Sequence, residues 1–220
     1  MTRIQFHRKL DDLKERLLVM AGVAEQAIQR SVEAYRTRDI SICDLVDRSE
    51  VAINGFEREI DQMALDLLAM EQPMAVDLRF ILAVIKINAD LERVGDQAVN
   101  ISDRVRQMQG FPAAELPVDI PRMAALASAM VRKALQGFIE EDAGVAKAVL
   151  TMDDSVDELN DNAFLVLSTL IREQPEWAPQ ALSALMIARN LERVGDHATN
   201  IAEDVIFWVS GADVRHHPSA

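Results

Sequence analysis

From Phe6 onward the apolar positions Phe6, Leu10, Leu13, Leu17, Met20, Ala24 and Ala27 advance by alternating steps of four and three. That interval keeps side chains on one stripe of a helix packed lengthwise against its neighbours. The stepping returns at Ile53, Phe56, Ile60, Met63, Leu67 and Met70, stops at the loop holding Pro73, and resumes from about Ala75 to Met108. These stretches predict the second and third helices. Residues 110–121, GFPAAELPVDIP, hold three prolines and a glycine and read as a linker. Beyond it Met123–Phe138, Ala143 to about Ile171, and Pro179–Trp208 carry three more amphipathic segments, followed by Gly211 and a polar tail with His216 and His217. No segment alternates as a strand would.

The second half copies the first. NADLERVGDQAVNI at 88–101 and ARNLERVGDHATNI at 188–201 agree at nine of fourteen positions with an offset of 100, and the EQP of 71–73 recurs at 173–175. Self-similarity at a long fixed spacing marks a duplicated structural unit. The expected fold is all-α: two tandem three-helix bundles, six long antiparallel helices in all, with the first repeat over residues 1–112 and the second over 113–220. The Leu and Met stripes are expected to be core.

Composition narrows the function. A net charge of −13 on 220 residues argues against nucleic acid, because a DNA or RNA binder needs clustered Lys and Arg to neutralise phosphates. The single cysteine, Cys43, rules out an internal disulfide framework and any multi-thiolate metal site, and is expected to pack in the core. The longest apolar runs, such as Ala163–Leu167, fall far short of the roughly 20 residues that a membrane span needs. With no signal-peptide pattern at the start, the expected location is the cytoplasm.

The candidate chemistry lies in spaced carboxylates. Glu92 and Asp96 are four residues apart in LERVGD, as are Glu192 and Asp196, so each pair shares a helix face about 6 Å apart along the axis. Two anions so placed repel and weaken a bare helix by a few tenths of a kcal/mol, a penalty that a bound cation reverses. Glu57 and Asp61, and at the same offset of 100 Asp157 and Asp161, repeat the spacing. Counted back from the Pro73 break, Glu57 falls within about a turn of Glu92 if the two helices run antiparallel. Asn54, Asn100 and Asn200 extend these stripes as weaker candidates for neutral oxygens. Oxygen-only ligands suit magnesium, manganese, calcium or iron, while the lack of clustered Cys and His disfavours a structural zinc site. The competing reading pairs the acids with Arg58, Arg93, Arg189 and Arg193 on solvated helix faces. Gly95 and Gly195, in helix interiors, predict a close approach by a neighbouring element or ligand shell. His197, opposite Gln97 in the other copy, is expected at the periphery.

INGFEREID at 53–61, QPMAVDLR at 72–79 and the doubled LERVGD resemble the PhoU family of bacterial phosphate-uptake regulators, and the resemblance covers nearly the whole chain. It implies two similar three-helix bundles and a cytoplasmic homodimer. It also implies magnesium, manganese, iron or zinc held by E/DxxxD motifs that map onto Glu57, Asp61, Glu92, Asp96, Asp157, Asp161, Glu192 and Asp196. Asp157 stands where the motif often has Glu, which shortens its reach. The implied partners are the phosphate transporter's ATPase subunit and a phosphate-sensing histidine kinase, with the membrane reached only through them. In that role the protein is an adaptor, not an enzyme, and keeps starvation genes off when phosphate is plentiful.

Two other classes are carried beside this one. A di-iron oxidase needs Glu-x-x-His on two helices, and the chain has none. A metal-dependent phosphatase of a phosphorylated signalling protein would use Asp96 with Asn100, or Asp196 with Asn200, to orient a water. A metal-free helical scaffold would leave the acids as plain surface.

Overall fold

The computed structural model describes residues 3–71 and 73–214, with backbone alone at 70 and 71. Gln72 of the repeated EQP and the tail bearing His216 and His217 lie outside the described residues. The chain runs through α1 (Arg3–Thr37), α2 (Ser41–Glu71), α3 (Ala75–Gln107), α4 (Ile120–Glu140), α5 (Ala143–Leu150), α6 (Asp153–Glu173) and α7 (Ala178–Ser210). Short 3₁₀ turns at Met108–Gly110 and Pro175–Trp177 complete the secondary structure among the described residues. No helix of the described residues is long and apolar enough to cross a membrane.

The all-helical, twice-repeated architecture matches the apolar stepping, with three departures. α2 begins a dozen residues before the predicted stripe, because Cys43, Val46 and Ser49 carry its buried face one heptad and more toward the N-terminus. The polar Ser49 disguises that extension in sequence, although its hydroxyl is satisfied by donating to the Leu45 carbonyl at 3.0 Å. α4 starts at Ile120, where the Asp119 side chain caps the helix by accepting from the Arg122 amide. The fifth helix, expected unbroken from Ala143 to about Ile171, divides at Thr151–Met152 into α5 and α6. Asp153 and Asp154 open α6, where a helix N-terminus favours negative charge.

α1, α2 and α3 pack on one another, as do α4, α5, α6 and α7. The two halves meet mainly through α3 against α7 and join in one continuous hydrophobic core. α3 and α7 are antiparallel: Arg79 reaches the Trp208 carbonyl, Lys86 pairs with Asp204, and Asp90 meets His197. Being central, these two helices bury more than one side, which explains why Asn88, Gln97 and Asn190 join the Leu, Ile and Val positions inside. The loop after Gly110 is fastened too. The Phe111 carbonyl accepts from Arg38 and the Pro112 carbonyl from Gln180.

Cys43 is buried beside Ala34 and Val105, as expected of a packing residue, and burial pushes its thiol above the ordinary range.

Candidate metal centres

Burial sets the true register between the halves. Cys43, Val46, Ile53, Ile60 and Ala64 of α2 recur as buried Ala146, Val149, Val156, Ala163 and Leu167, an offset of 103. α3 and α7 keep the offset of 100 in their LERVGD segments. The expected equivalence of Glu57 and Asp61 with Asp157 and Asp161 is displaced by three residues. Glu50 corresponds to Asp153, Asn54 to Asp157, Glu57 to Asn160, and Asp61 to Phe164.

One acid group forms where α2 faces α3. The Glu92 carboxyl is pushed up by burial and then by Asp96, against the pull of Arg93, with Glu57 and Glu50 adding to the rise. Glu50 is raised by burial, then by Asp96, Asp47 and Asp103. Arg93 stands at 3.6 Å from Glu92 and 3.5 Å from Asp96, but is mostly exposed, so water screens much of its compensation. Asp61, an expected ligand, accepts instead from the buried Asn88 amide at 3.0 Å. That amide also donates to the Glu57 carbonyl, so Asn88 fixes α3 against α2. Asn54 is half-buried and Asn100 exposed, each one turn along from Glu50 and Asp96.

A second group forms where α6 faces α7. Glu192 is raised by burial, then Asp196 and Asp157, with Arg189 opposing and Asp153 adding. Asp157 is raised by burial, then by Asp196, Asp154 and Asp161. Asp153 is raised by burial, Asp157 and Asp196, while a hydrogen bond from Thr199 works the other way. Asn200 turns toward the other half, donating to Asp90 at 3.2 Å. His197, expected at the periphery, is mostly buried at the α3–α7 seam with Nδ1 2.9 Å from Asp90.

Each group gathers carboxylates from two helices, and burial first, then mutual repulsion, makes Glu50 and Glu92 in one and Asp153, Asp157 and Glu192 in the other hold their protons more tightly. This is a donor chemistry that a hard cation satisfies. Among the described residues no three carboxylates or imidazoles converge to coordination distance. Glu50 and Asp153 were missed in sequence, although a signal was present. Glu50 precedes Glu57 by seven residues, two turns on one face, and Asp153 precedes Asp157 by four.

The two copied glycines differ. A Cβ on Gly95 would lie 2.8 Å from Ile53 Cδ1, whereas one on Gly195 would find its nearest atoms, from Asp153 and Met130, at 3.6 Å. The first needs a close helix contact, as the sequence suggested, and the second has room. Gly195→Ala is expected to stabilise the protein by up to about 1 kcal/mol through helix propensity. Gly95→Ala should give less or reverse sign because Ile53 must move. Paired urea titrations giving equal gains would remove this distinction.

The PhoU domain family model matches residues 17–105 and 120–205, one match per half. The phosphate-specific transport system accessory protein PhoU homolog of Pseudomonas aeruginosa is 37% identical over 215 residues, spanning 96% of this chain and 88% of that protein. The homolog of the same name from Clostridium acetobutylicum is 32% identical, spanning 97% and 98%. The crystal structure of PhoU from Pseudomonas aeruginosa superposes with a TM-score of 0.90 at 35% identity, covering 94% of this chain and all of that one. The phosphate transport system regulatory protein PhoU from Streptococcus pneumoniae gives 0.85 at 25% identity, covering 95% and 99%. With both repeats matched and the likeness running nearly end to end, this chain belongs to the PhoU family.

Proposed function

We propose that this protein is a cytoplasmic, metal-binding regulator of phosphate uptake, an adaptor between the phosphate transporter's ATPase subunit and a phosphate-sensing histidine kinase that keeps starvation genes off when phosphate is plentiful. The observation that carries the reading is the whole-length likeness to proteins named as phosphate transport accessory and regulatory proteins, through both repeats. Residues 1–112 and 113–220 act as two repeats, each offering one acid group. Glu57, Glu92 and Asp96, joined by Glu50, hold a magnesium, manganese, iron or zinc ion in the first. Asp157, Glu192 and Asp196, joined by Asp153, do so in the second, with Asp61 and Asp161 at the margins. Such an ion supplies positive charge that fixes α2 to α3 and α6 to α7, and the protein works as a homodimer. A body whose helices are locked in register suits an adaptor, whose task is to hold surfaces for two partners.

Alkaline phosphatase activity in phosphate-replete cells tests the role. Deleting the gene is expected to raise it strongly, and restoring the wild-type gene to return it to the low level. Low activity in both strains, with starvation still inducing the enzyme, would sink the proposal.

A further inference from the structure

Opposite the shared core, α6 of the second repeat exposes an apolar pair that forms a ridge where α2 of the first is polar, while on the facing helices Leu182 and its counterpart Leu82 are both exposed. Phe164 is 56% exposed and Leu165 65%, and the residues at their positions in the first repeat are Asp61 and Gln62. The ridge continues the acid group on the same helix faces. Asp153, Asp157, Asn160 and Phe164 follow one another at steps of four, three and four along α6, and Leu165 lies one turn beyond Asp161. On α7 the corresponding stripe reads Asp196, Glu192, Arg189, Leu185 and Leu182, the last 52% exposed. The helices are antiparallel and their acid ends face each other, so their apolar ends run side by side at similar height.

Large apolar side chains at this exposure, rimmed by charge, mark an interaction surface. We propose that the Phe164–Leu165 ridge is a docking site for a protein segment with an apolar face bordered by Lys and Arg. Charge selects that occupant. Asp157, Glu158, Asp161 and Glu192 stand nearest the ridge against Arg172 and Arg189, so basic side chains beside an apolar anchor complete it. An anionic membrane surface would be repelled. The inference goes beyond the metal reading and does not depend on it. The acids attract a basic segment in metal-free protein, and bound cations weaken that attraction.

The test measures fluorescence anisotropy of a labelled synthetic amphipathic peptide, with a leucine face bordered by lysines, against the full chain in EDTA. Phe164→Asp with Leu165→Gln, which installs the first repeat's residues, is expected to weaken binding about tenfold or more. Because the change adds a negative charge, attraction by charge alone would instead tighten it. Both positions are exposed, so the variant keeps its fold, which circular dichroism checks. Leu65→Ser, at an equally exposed position of the first repeat, should leave the affinity unchanged. An unchanged affinity in the double variant, or an equal loss in Leu65→Ser, overturns the proposal. So does a double variant that keeps its peptide affinity but changes from dimer to monomer in sedimentation, since the face would then join two copies.

Discussion

Phe138→Ala is expected to destabilise the whole chain by about 3–5 kcal/mol, the range for emptying a buried aromatic site. Phe138 comes from α4 and is fully buried. Its ring stacks on Phe80 of α3 at 5.9 Å between centroids and meets Trp208 of α7 at 5.1 Å, while Phe80 and Trp208 touch edge to face at 5.1 Å. Lys14 of α1 lies over the Phe138 ring at 5.6 Å and donates to the Ile139 carbonyl. One ring thus contacts elements from both repeats, and its loss opens a cavity that neither half can close alone. Urea unfolding followed by circular dichroism should show one transition moved to lower urea with an unchanged slope. Two transitions, only one of them shifted, would show that the halves unfold independently despite their shared core.

The second large effect is metal-linked stabilisation. At a free manganese concentration about a thousand times Kd, one site contributes roughly 4 kcal/mol by mass action. For a chain of this size that is roughly 8–16 °C in Tm. EDTA should remove the gain, and Glu92→Gln with Glu192→Gln should reduce it sharply. Without metal the same double substitution should raise stability, because it relieves repulsion. A flat response to both manganese and EDTA would leave the helical-scaffold reading standing. The pH dependence has a definite sign. Glu50, Glu92, Asp153, Asp157 and Glu192 all have raised pKa values in the fold. Above the ordinary carboxylate range, up to the raised values, the metal-free fold holds more protons than the unfolded chain. Its stability from these groups is greatest below that window and falls as pH rises through it. Metal requires the deprotonated ligands, so manganese affinity should rise over the same window. Tm measured in EDTA as pH is raised from the ordinary carboxylate range, wild type against the double Gln variant, checks the first slope, and manganese titrations check the second.

Much of this was legible in the chain. Helices whose buried faces step by three and four announced themselves, and LERVGD announced the duplication because α3 and α7 are packed on more than one side and have few positions free to drift. Where only a single stripe is buried, the copies lost their resemblance. INGFEREID and its counterpart in α6 share a burial pattern but hardly a residue. The stretch from Asp153 to Glu192 is three residues shorter than that from Glu50 to Glu92, which moved the register by three. Glu50 and Asp153 escaped because their spacing to Glu57 and Asp157 reads as ordinary solvated charge until the facing helix is known, and the hydrogen bond from Asn88 to Asp61 was equally out of sight. The seam position of His197 was invisible for another reason: the neighbour that gives it a role, Asp90, lies in the other repeat.

The seam between α3 and α7 has one more implication. Antiparallel and built from copied segments, it has the geometry of a two-fold interface, with its axis near Val94 and Val194. On one side of that axis stand Asp90 and His197, and the positions related to them hold Asn190 and Gln97, also buried. A protein of one repeat, joined to itself across this face, would be bound to present two identical outer surfaces and to change both with every mutation. Linking the copies in a single chain fixes their ratio at one to one and releases them from that identity. One half can then carry Asp61 and Gln62 where the other carries Phe164 and Leu165, so the two outer faces of one molecule need not be alike.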